Sequence, residues 1–456
     1  MVTTTIQPGT IPQSVIALCE RVRAGGFRAW IVGGSLRDTL LGRVPKDWDL
    51  ATSAMPQEMM RLFKRVVPTG LAHGTVTVLW DDVPYELTTL RGEGAYSDSR
   101  HPDEVFFVKD IDEDLARRDF TVNALAYDPL EDRLIDPFGG ALDLERGLLR
   151  TVGDARDRFS EDGLRVLRAA RFVATLGFRL DEATAAAIPQ ALPSFERVSK
   201  ERVRDEWLRT MLAPRPSRAF EVMRESGILA VSCPELIEQV GCEQNKYHAF
   251  DVWNHSMACL DASPVDPLQR MAALLHDLGK PRTRERSDKT NDFTFYGHEV
   301  VGADMAEDWL RRFRFSNDER RKIVHLVRQH LICYSSEWSD AAVRRFVRRI
   351  GPENVGELLA LGRADALAKG RPVESELAAL DELVGRIEES SRGAAFGTKD
   401  LAISGHDVMA RLGSAPGKII GQVLERLLER VLDEPALNDR DALLSLVEDC
   451  AREVRS

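Results

Sequence analysis

The sequence predicts an α+β protein, a mixed-sheet head followed by all-helical domains. Three observations predict it. Short runs of alternating or β-branched residues, bounded by glycine and aspartate turns, crowd residues 1–152. Past Val152 these strand signals fade and a helical period takes over. The chain has 456 residues, too many for one ordinary core. The composition shifts divide it into a head (1–152), a helical neck (153–240), a third domain (241–370) and a helical tail (371–456).

In order, residues 12–25 read as a helix with Val15, Ile16, Leu18 and Val22 on its apolar face. Residues 27–32 form a strand that runs into Gly33-Gly34 and a short helix through Leu41-Gly42. A second strand carries Asp47-Trp48-Asp49. Side chains alternate along a strand, so Asp47 and Asp49 share a face and Trp48 turns into the core. Pro56 opens the next helix. Residues 74–80 and 83–90 are strands around Asp81-Asp82. Glu86, on the latter, is either a third carboxylate beside Asp47 and Asp49 or a solvent-facing residue. Residues 91–103, RGEGAYSDSRHPD, have the composition of a mobile loop. Asp136-Pro137-Phe138-Gly139-Gly140 makes a second glycine turn.

Gly33-Gly34 and the aspartate pair carry the first chemical signal. Glycine lets the backbone approach a polyphosphate, and a following helix start favours anions. Paired carboxylates suit hard cations such as Mg2+ that retain water for phosphate to replace. Together they are equipment for phosphoryl or nucleotidyl transfer. Arg117 and Arg118 can grip triphosphate oxygens in fork geometry, or simply charge a helix start. Asp162 and Arg165, three residues apart, are neighbours on one helix face. They form a surface ion pair or a base reader: Asp accepts from an exocyclic amine and Arg donates to ring acceptors, which cytosine and adenine both present.

In GGSLRDTLLG-(x)3-KDWDL, RRDFTVNALA, DPFGGALDL, EDGLRVLRAARF and SKERVRDEW, residues 25–230 resemble the bacterial class II tRNA nucleotidyltransferases, the CCA-adding enzymes and their poly(A) polymerase relatives. Ser35-Leu36 is a small departure from the family pattern. The resemblance implies a polymerase-beta-like head in which Asp47 and Asp49 bind two catalytic Mg2+ ions. Glu86 is the candidate third carboxylate. It implies that Gly33, Gly34 and Arg37 lie against the triphosphate and that Arg118, Asp119 and Asn123 shape the nucleotide and sugar pocket. Glu161, Asp162 and Arg165, with Arg168 beside them, would select CTP and then ATP for a tRNA 3′ end without a template. Residues 91–103 resemble the flexible element needed to add A.

The second half carries a different pattern. His255, the adjacent His276-Asp277, and Asp365 can make a metal site, and His298 and His330 can extend it to one or two metals. This set resembles the HD superfamily of metal-dependent phosphohydrolases, which implies a divalent metal that activates water against phosphate esters. The Val343–Arg349 run is basic, either a solvated face or an RNA-backbone track. His406-Asp407 lacks partners and reads as structural. The tail resembles that of the nucleotidyltransferases, and its weak basicity argues against a dedicated poly(A) polymerase.

Composition narrows the classes. Apolar content of 43% and charged content of 30% suit a globular protein, and no run approaches a membrane span. The first nine residues have no secretory character, and six scattered cysteines without C-x-x-C argue for a reducing cytoplasm and against a disulfide framework. The net charge of −11 does not favour nucleic-acid binding overall but is compatible with a local basic groove. Three rivals remain to the CCA-adding reading: an A-adding enzyme or poly(A) polymerase, an HD phosphohydrolase with an RNA-binding head, and a non-catalytic RNA-binding protein.

Overall fold

A computed structural model describes residue 6 and residues 9–71, 74–93, 105–391 and 393–455. The chain forms two compact units, residues 1–237 with 312–314, and residues 238–311 with 315–456.

The first unit begins with α1 (Gln13–Ala24), which buries Val15, Leu18, Cys19 and Val22, one helical face. Strand β1 (Ala29–Val32) is buried throughout and leads directly into α2 (Gly33–Leu40). Strand β2 (Asp49–Thr52), α3 (Pro56–Leu62) and strands β3 (Val66–Gly70), β4 (Thr75–Trp80) and β5 (Val83–Thr89) follow. With Ala126–Asp128 and Arg133–Ile135 they make one seven-stranded sheet. Its order is β3-β4-β5-β2-β1, then Ala126–Asp128, then Arg133–Ile135. β2 and β5 run parallel while the other neighbours are antiparallel, so the sheet is mixed. Asp81 and Asp82, both at positive φ, close the β4–β5 hairpin as a two-residue turn. Trp30, Val32, Ala51, Leu90, Ala124 and Ala126 pack one core of the head.

Two sequence expectations change here. β2 starts only at Asp49, and Asp47 lies in a bend before it. Strand alternation therefore does not reach Asp47, and Trp48 is half-buried rather than in the core. The expected loop over residues 91–103 begins as a short strand, Arg91–Glu93, paired with Val105–Phe107. The remainder of that loop lies outside the described residues.

Helices α4 (Ile111–Ala116), α5 (Gly140–Arg146), α6 (Ala155–Glu161), α7 (Leu164–Leu176), α8 (Glu182–Glu196) and α9 (Lys200–Met211) continue the first unit. α6 and α7 are separate because Gly163 stands between them against α8, where a Cβ would sit 2.4 Å from the Ser194 carbonyl. Asp162 ends one helix and Arg165 belongs to the next, so they do not share the single helix face that their spacing suggests.

The second unit is helical apart from the hairpin of Glu285–Ser287 with Asp292–Thr294. Its C-terminal part has its own core, including Val408, Val423, Leu427, Leu443 and Val447. Three of the four arginines of the basic helix Asp340–Ile350 pair inside this unit. Arg344 donates to the carbonyls of Leu432 and Asp433, and Arg345 and Arg348 pair with Glu425, Glu429 and Asp433. Arg344, Arg345 and Arg348 thus dock the run onto the helix Lys418–Asp433, while Arg349 stays exposed beside Phe346. Asp407 accepts from the Ser404 amide and hydroxyl, each at 2.8 Å, as a helix cap. Among the described residues no helix is long and apolar enough to cross a membrane.

Candidate active site and metal centre

A cleft of about 850 Å³ in the first unit gathers Gly33, Gly34, Arg37, Asp49, Arg118, Asp119, Asn123, Asp162, Arg165 and Arg168 on its wall. Glu86 stands in register with Asp49 on the parallel neighbour strand. The Asp49 carboxyl is pushed up by partial burial, then by Glu86; Arg118 opposes this, and Asp47 adds to it. Asp49 lines the cleft while the charges of Glu86 and Asp47 act on it, a grouping of oxygen donors that a hard divalent cation relieves. Gly33, at positive φ, seats the start of α2 there: a Cβ would stand 3.1 Å from Arg118 Nη1 and 3.8 Å from Asp49 Oδ2.

Opposite the acids the wall is cationic, with nine arginines against five acidic residues lining the cleft. This reverses the sign of the chain average and attracts polyphosphate. The arginines are held in place. Arg37 Nη1 donates to Asn123 Oδ1 at 2.8 Å. Asp114, buried, receives Arg117 at 2.9 Å and Arg118 at 3.2 Å. Arg168 meets Asp119 at 2.6 Å, and Asn123 donates to the same carboxylate at 3.0 Å. Burial penalises the Asp119 charge, but Arg168, the Asn123 hydrogen bond and Arg165 outweigh it and hold the carboxyl at about 2. The two expected base readers are already paired: Asp162 with Arg202 at 2.7 Å, and Arg165 with Glu161.

Sequence reasoning missed Arg171, Phe172, Arg202, Asp205, Glu206 and Arg209, which complete the wall. Glu206, buried on α9, takes Arg171 at 2.6 Å and Arg209 at 3.1 Å. The signal for Arg202, Asp205 and Glu206 lay in SKERVRDEW, where six of nine residues are charged.

In the second unit the structure brings together all six expected ligands. His276 and Asp277 sit at and just beyond the end of Pro267–Leu275, rather than within a helix. His255 lies on Val252–Ala262, His298 starts His298–Arg312, His330 ends Asn317–Gln329, and Asp365 lies on Val355–Leu367. Gly279 permits the close approach: a Cβ there would stand 2.3 Å from the His298 carbonyl.

Two metal positions fit. At the first, His255 Nε2 is 3.2 Å from His276 Nε2, 3.4 Å from Asp277 Oδ2 and 3.0 Å from Asp365 Oδ1. At the second, His298 Nε2 is 3.2 Å from His330 Nε2 and 3.4 Å from Asp277 Oδ1. Bonds of about 2.1 Å at tetrahedral angles separate ligand atoms by about 3.4 Å. Asp277 is shared, one oxygen to each position. Neither oxygen has a well-directed hydrogen bond, although Lys280 Nζ is 2.6 Å from Oδ2. Each imidazole faces a backbone carbonyl with Nδ1: His276 to Ala273, His298 to Phe295 and His330 to Val327, all at 2.7 Å, and His255 to Ala368 at 3.2 Å. Donating there leaves the Nε2 lone pairs facing one another, an arrangement that a cation resolves. Burial, then the neighbouring His276, push His330 down to about 3.

A mixed sheet presenting a glycine turn and clustered carboxylates to an arginine-lined cleft, continued by helices, defines a nucleotidyltransferase. Three family profiles match: the poly A polymerase head domain over residues 29–150, a probable RNA and SrmB-binding site of polymerase A over 177–239, and a putative tRNA nucleotidyltransferase domain 2 over 299–447. The chain is 32% identical over 448 residues to a CCA-adding enzyme of Enterococcus faecalis, covering 96% of this chain and 97% of that one. It is 34% identical over 432 residues to one from Geobacillus, covering 94% and 95%. The crystal structure of a Bacillus stearothermophilus CCA-adding enzyme in complex with CTP superposes with a TM-score of 0.75 at 27% identity, covering 97% of this chain and 98% of that one. A Thermotoga maritima CCA-adding enzyme complexed with tRNA shares the fold, with a TM-score of 0.54 at 20% identity over 97% and 96%. The chain belongs to the CCA-adding enzymes.

Proposed function

We propose that the first unit adds C, C and A from CTP and ATP to the 3′ end of tRNA, releasing pyrophosphate at each step. The observation that carries this is Asp49 in register with Glu86, under the charge of Asp47, on the floor of an arginine-lined cleft. Asp47 and Asp49, with Glu86, would hold two Mg2+ ions. Ions held there would supply Lewis-acid chemistry, favouring loss of the RNA 3′-hydroxyl proton and offsetting charge on the leaving pyrophosphate. The chain's own groups do the rest. The α2 start and Arg37 take the triphosphate, and Arg118, Asp119 and Asn123 shape the nucleotide and sugar pocket. Asp162 accepts from the amine of C or A and Arg165 donates to the ring acceptor beside it, while Arg202 holds Asp162 and Glu161 holds Arg165.

A tRNA lacking its last three nucleotides tests the reading. With CTP alone it should gain two residues, and with CTP and ATP three, ending in A. Failure to incorporate C would leave an A-adding or poly(A) activity instead.

The second unit supports a further reading as an HD-type phosphohydrolase. Its shared Asp277 and four pinned imidazoles fit a divalent pair. His255, His276, Asp277 and Asp365 would hold one ion, and His298, His330 and Asp277 the other. Such ions would supply Lewis-acid activation of water for attack on a phosphate ester. Metal-dependent release of nitrophenol from bis(p-nitrophenyl) phosphate checks it, with His276→Ala as the control.

A further inference from the structure

A seventh side chain points to the same metal centre, and no part of the reading above uses it. His248 lies before the helix that carries His255, with its ring centroid 5.0 Å from that of His255 and the planes at 90°. One ligand atom each from His248, His255 and Asp365 lies within 4.8 Å of the others. His248 repeats the pattern of the four buried imidazoles. Its Nδ1 faces an acceptor, here the Asn245 side-chain oxygen at 3.0 Å, so Nε2 is the nitrogen left for the centre. It differs in being half-buried, whereas His255 and His276 are fully buried.

The backbone around His248 is built onto the end of the helix that carries Asp365. The Ala249 amide donates to the Lys369 carbonyl at 2.9 Å, and Arg371 reaches the His248 carbonyl at 3.4 Å. Gly370, at positive φ, lets the two segments meet: a Cβ there would lie 2.5 Å from the Phe250 ring. These are the contacts that hold an imidazole in place beside Asp365, and they reach across more than 100 residues of sequence.

We propose that His248 is an additional ligand of the first metal position, binding through Nε2 from the open side. This rests on the metal-centre reading of the second unit. It makes the centre asymmetric. The first position then draws on five side chains, His248 with His255 and Asp365 on one side and His276 with Asp277 on the other. The second has three: His298, His330 and Asp277. Open coordination, where water or a phosphate oxygen binds, therefore belongs to the second ion.

Co2+ titration of the full chain tests this, read by visible d–d absorption and by the bound metal after gel filtration. The wild type should bind two ions, one more tightly than the other. His248→Ala should weaken the tighter site by roughly 10–100-fold and intensify its absorption, since fewer ligands give a less centrosymmetric ion. The weaker site should be unchanged. Added imidazole should restore the wild-type spectrum in His248→Ala. Asn245→Ala, which frees the ring without removing it, should give a smaller shift in the same direction. Near-UV circular dichroism of the metal-free variants should match the wild type. Two wild-type affinities with an unchanged spectrum in folded His248→Ala would overturn the assignment of His248 alone. A wild type that binds no Co2+, or a His276→Ala variant that binds like the wild type, would instead overturn the metal centre itself.

Discussion

The two candidate centres hold charge in opposite ways. In the head, oxygen donors at a solvent-reached cleft floor face a wall of arginines. In the helical unit, buried imidazoles and a shared carboxylate face one another, each ring fixed from behind. The first arrangement suits a hydrated, exchangeable Mg2+ that arrives with a polyphosphate. The second suits a retained ion, because its nitrogen donors are desolvated and oriented before the metal binds.

The largest expected effect lies in the buried centre. His276→Ala should abolish retention of the first metal, a loss of about 10³-fold or more in affinity, read by metal content after dialysis. CCA addition should stay within about twofold of wild type, because the cleft is built in a different unit. Loss of both activities together would break the comparison.

Next is Glu86→Gln. It removes the largest neighbouring charge acting on Asp49 and should slow nucleotide incorporation by roughly 10–100-fold in single-turnover assays. Retained full rate would return Glu86 to an ordinary solvent-facing residue.

A smaller effect concerns stability. Asp119→Asn takes from Arg168 its nearer buried partner, leaving Glu206 at 3.7 Å, and should cost about 2–3 kcal/mol near neutral pH. The sign with pH is fixed by a carboxyl held at about 2 in the fold against about 3.9 unfolded. The stabilisation is fully present above about pH 4 and is lost as pH falls through about 2. Urea unfolding of wild type and variant at several pH values should show the gap closing only in that window.

The smallest effect is expected on the helix Asp340–Ile350. Replacing Arg345 and Arg348 with alanine breaks exposed pairs with the tail and should cost about 1 kcal/mol or less. tRNA affinity and its salt dependence should not change. A shallower salt slope would restore these arginines as phosphate contacts.

Much of this was legible in the sequence because chemistry and spacing were local. Gly33-Gly34 before a helix, the Asp47/Asp49 pair and His276-Asp277 each announce a function within a few residues. The mixed sheet followed by helices was legible from the change of period near Val152. What was not legible depends on the fold. Asp47 falls outside the strand because β2 begins two residues later than alternation suggests. Asp162 and Arg165 are parted by a glycine whose role depends on Ser194 of α8. Arg202 and Glu206 join the cleft from α9, and Arg345 and Arg348 find partners about 80 residues away. His248 gave no signal, since its partners are set by a turn at Gly370.

The most direct test of the central claim is single-turnover addition of C to a trimmed tRNA in Mg2+, comparing wild type with Asp49→Ala. The acidic cluster at the cleft floor predicts a loss of about 10³-fold or more, with hydrolysis by the helical unit unchanged. Incorporation at the wild-type rate in Asp49→Ala would contradict it.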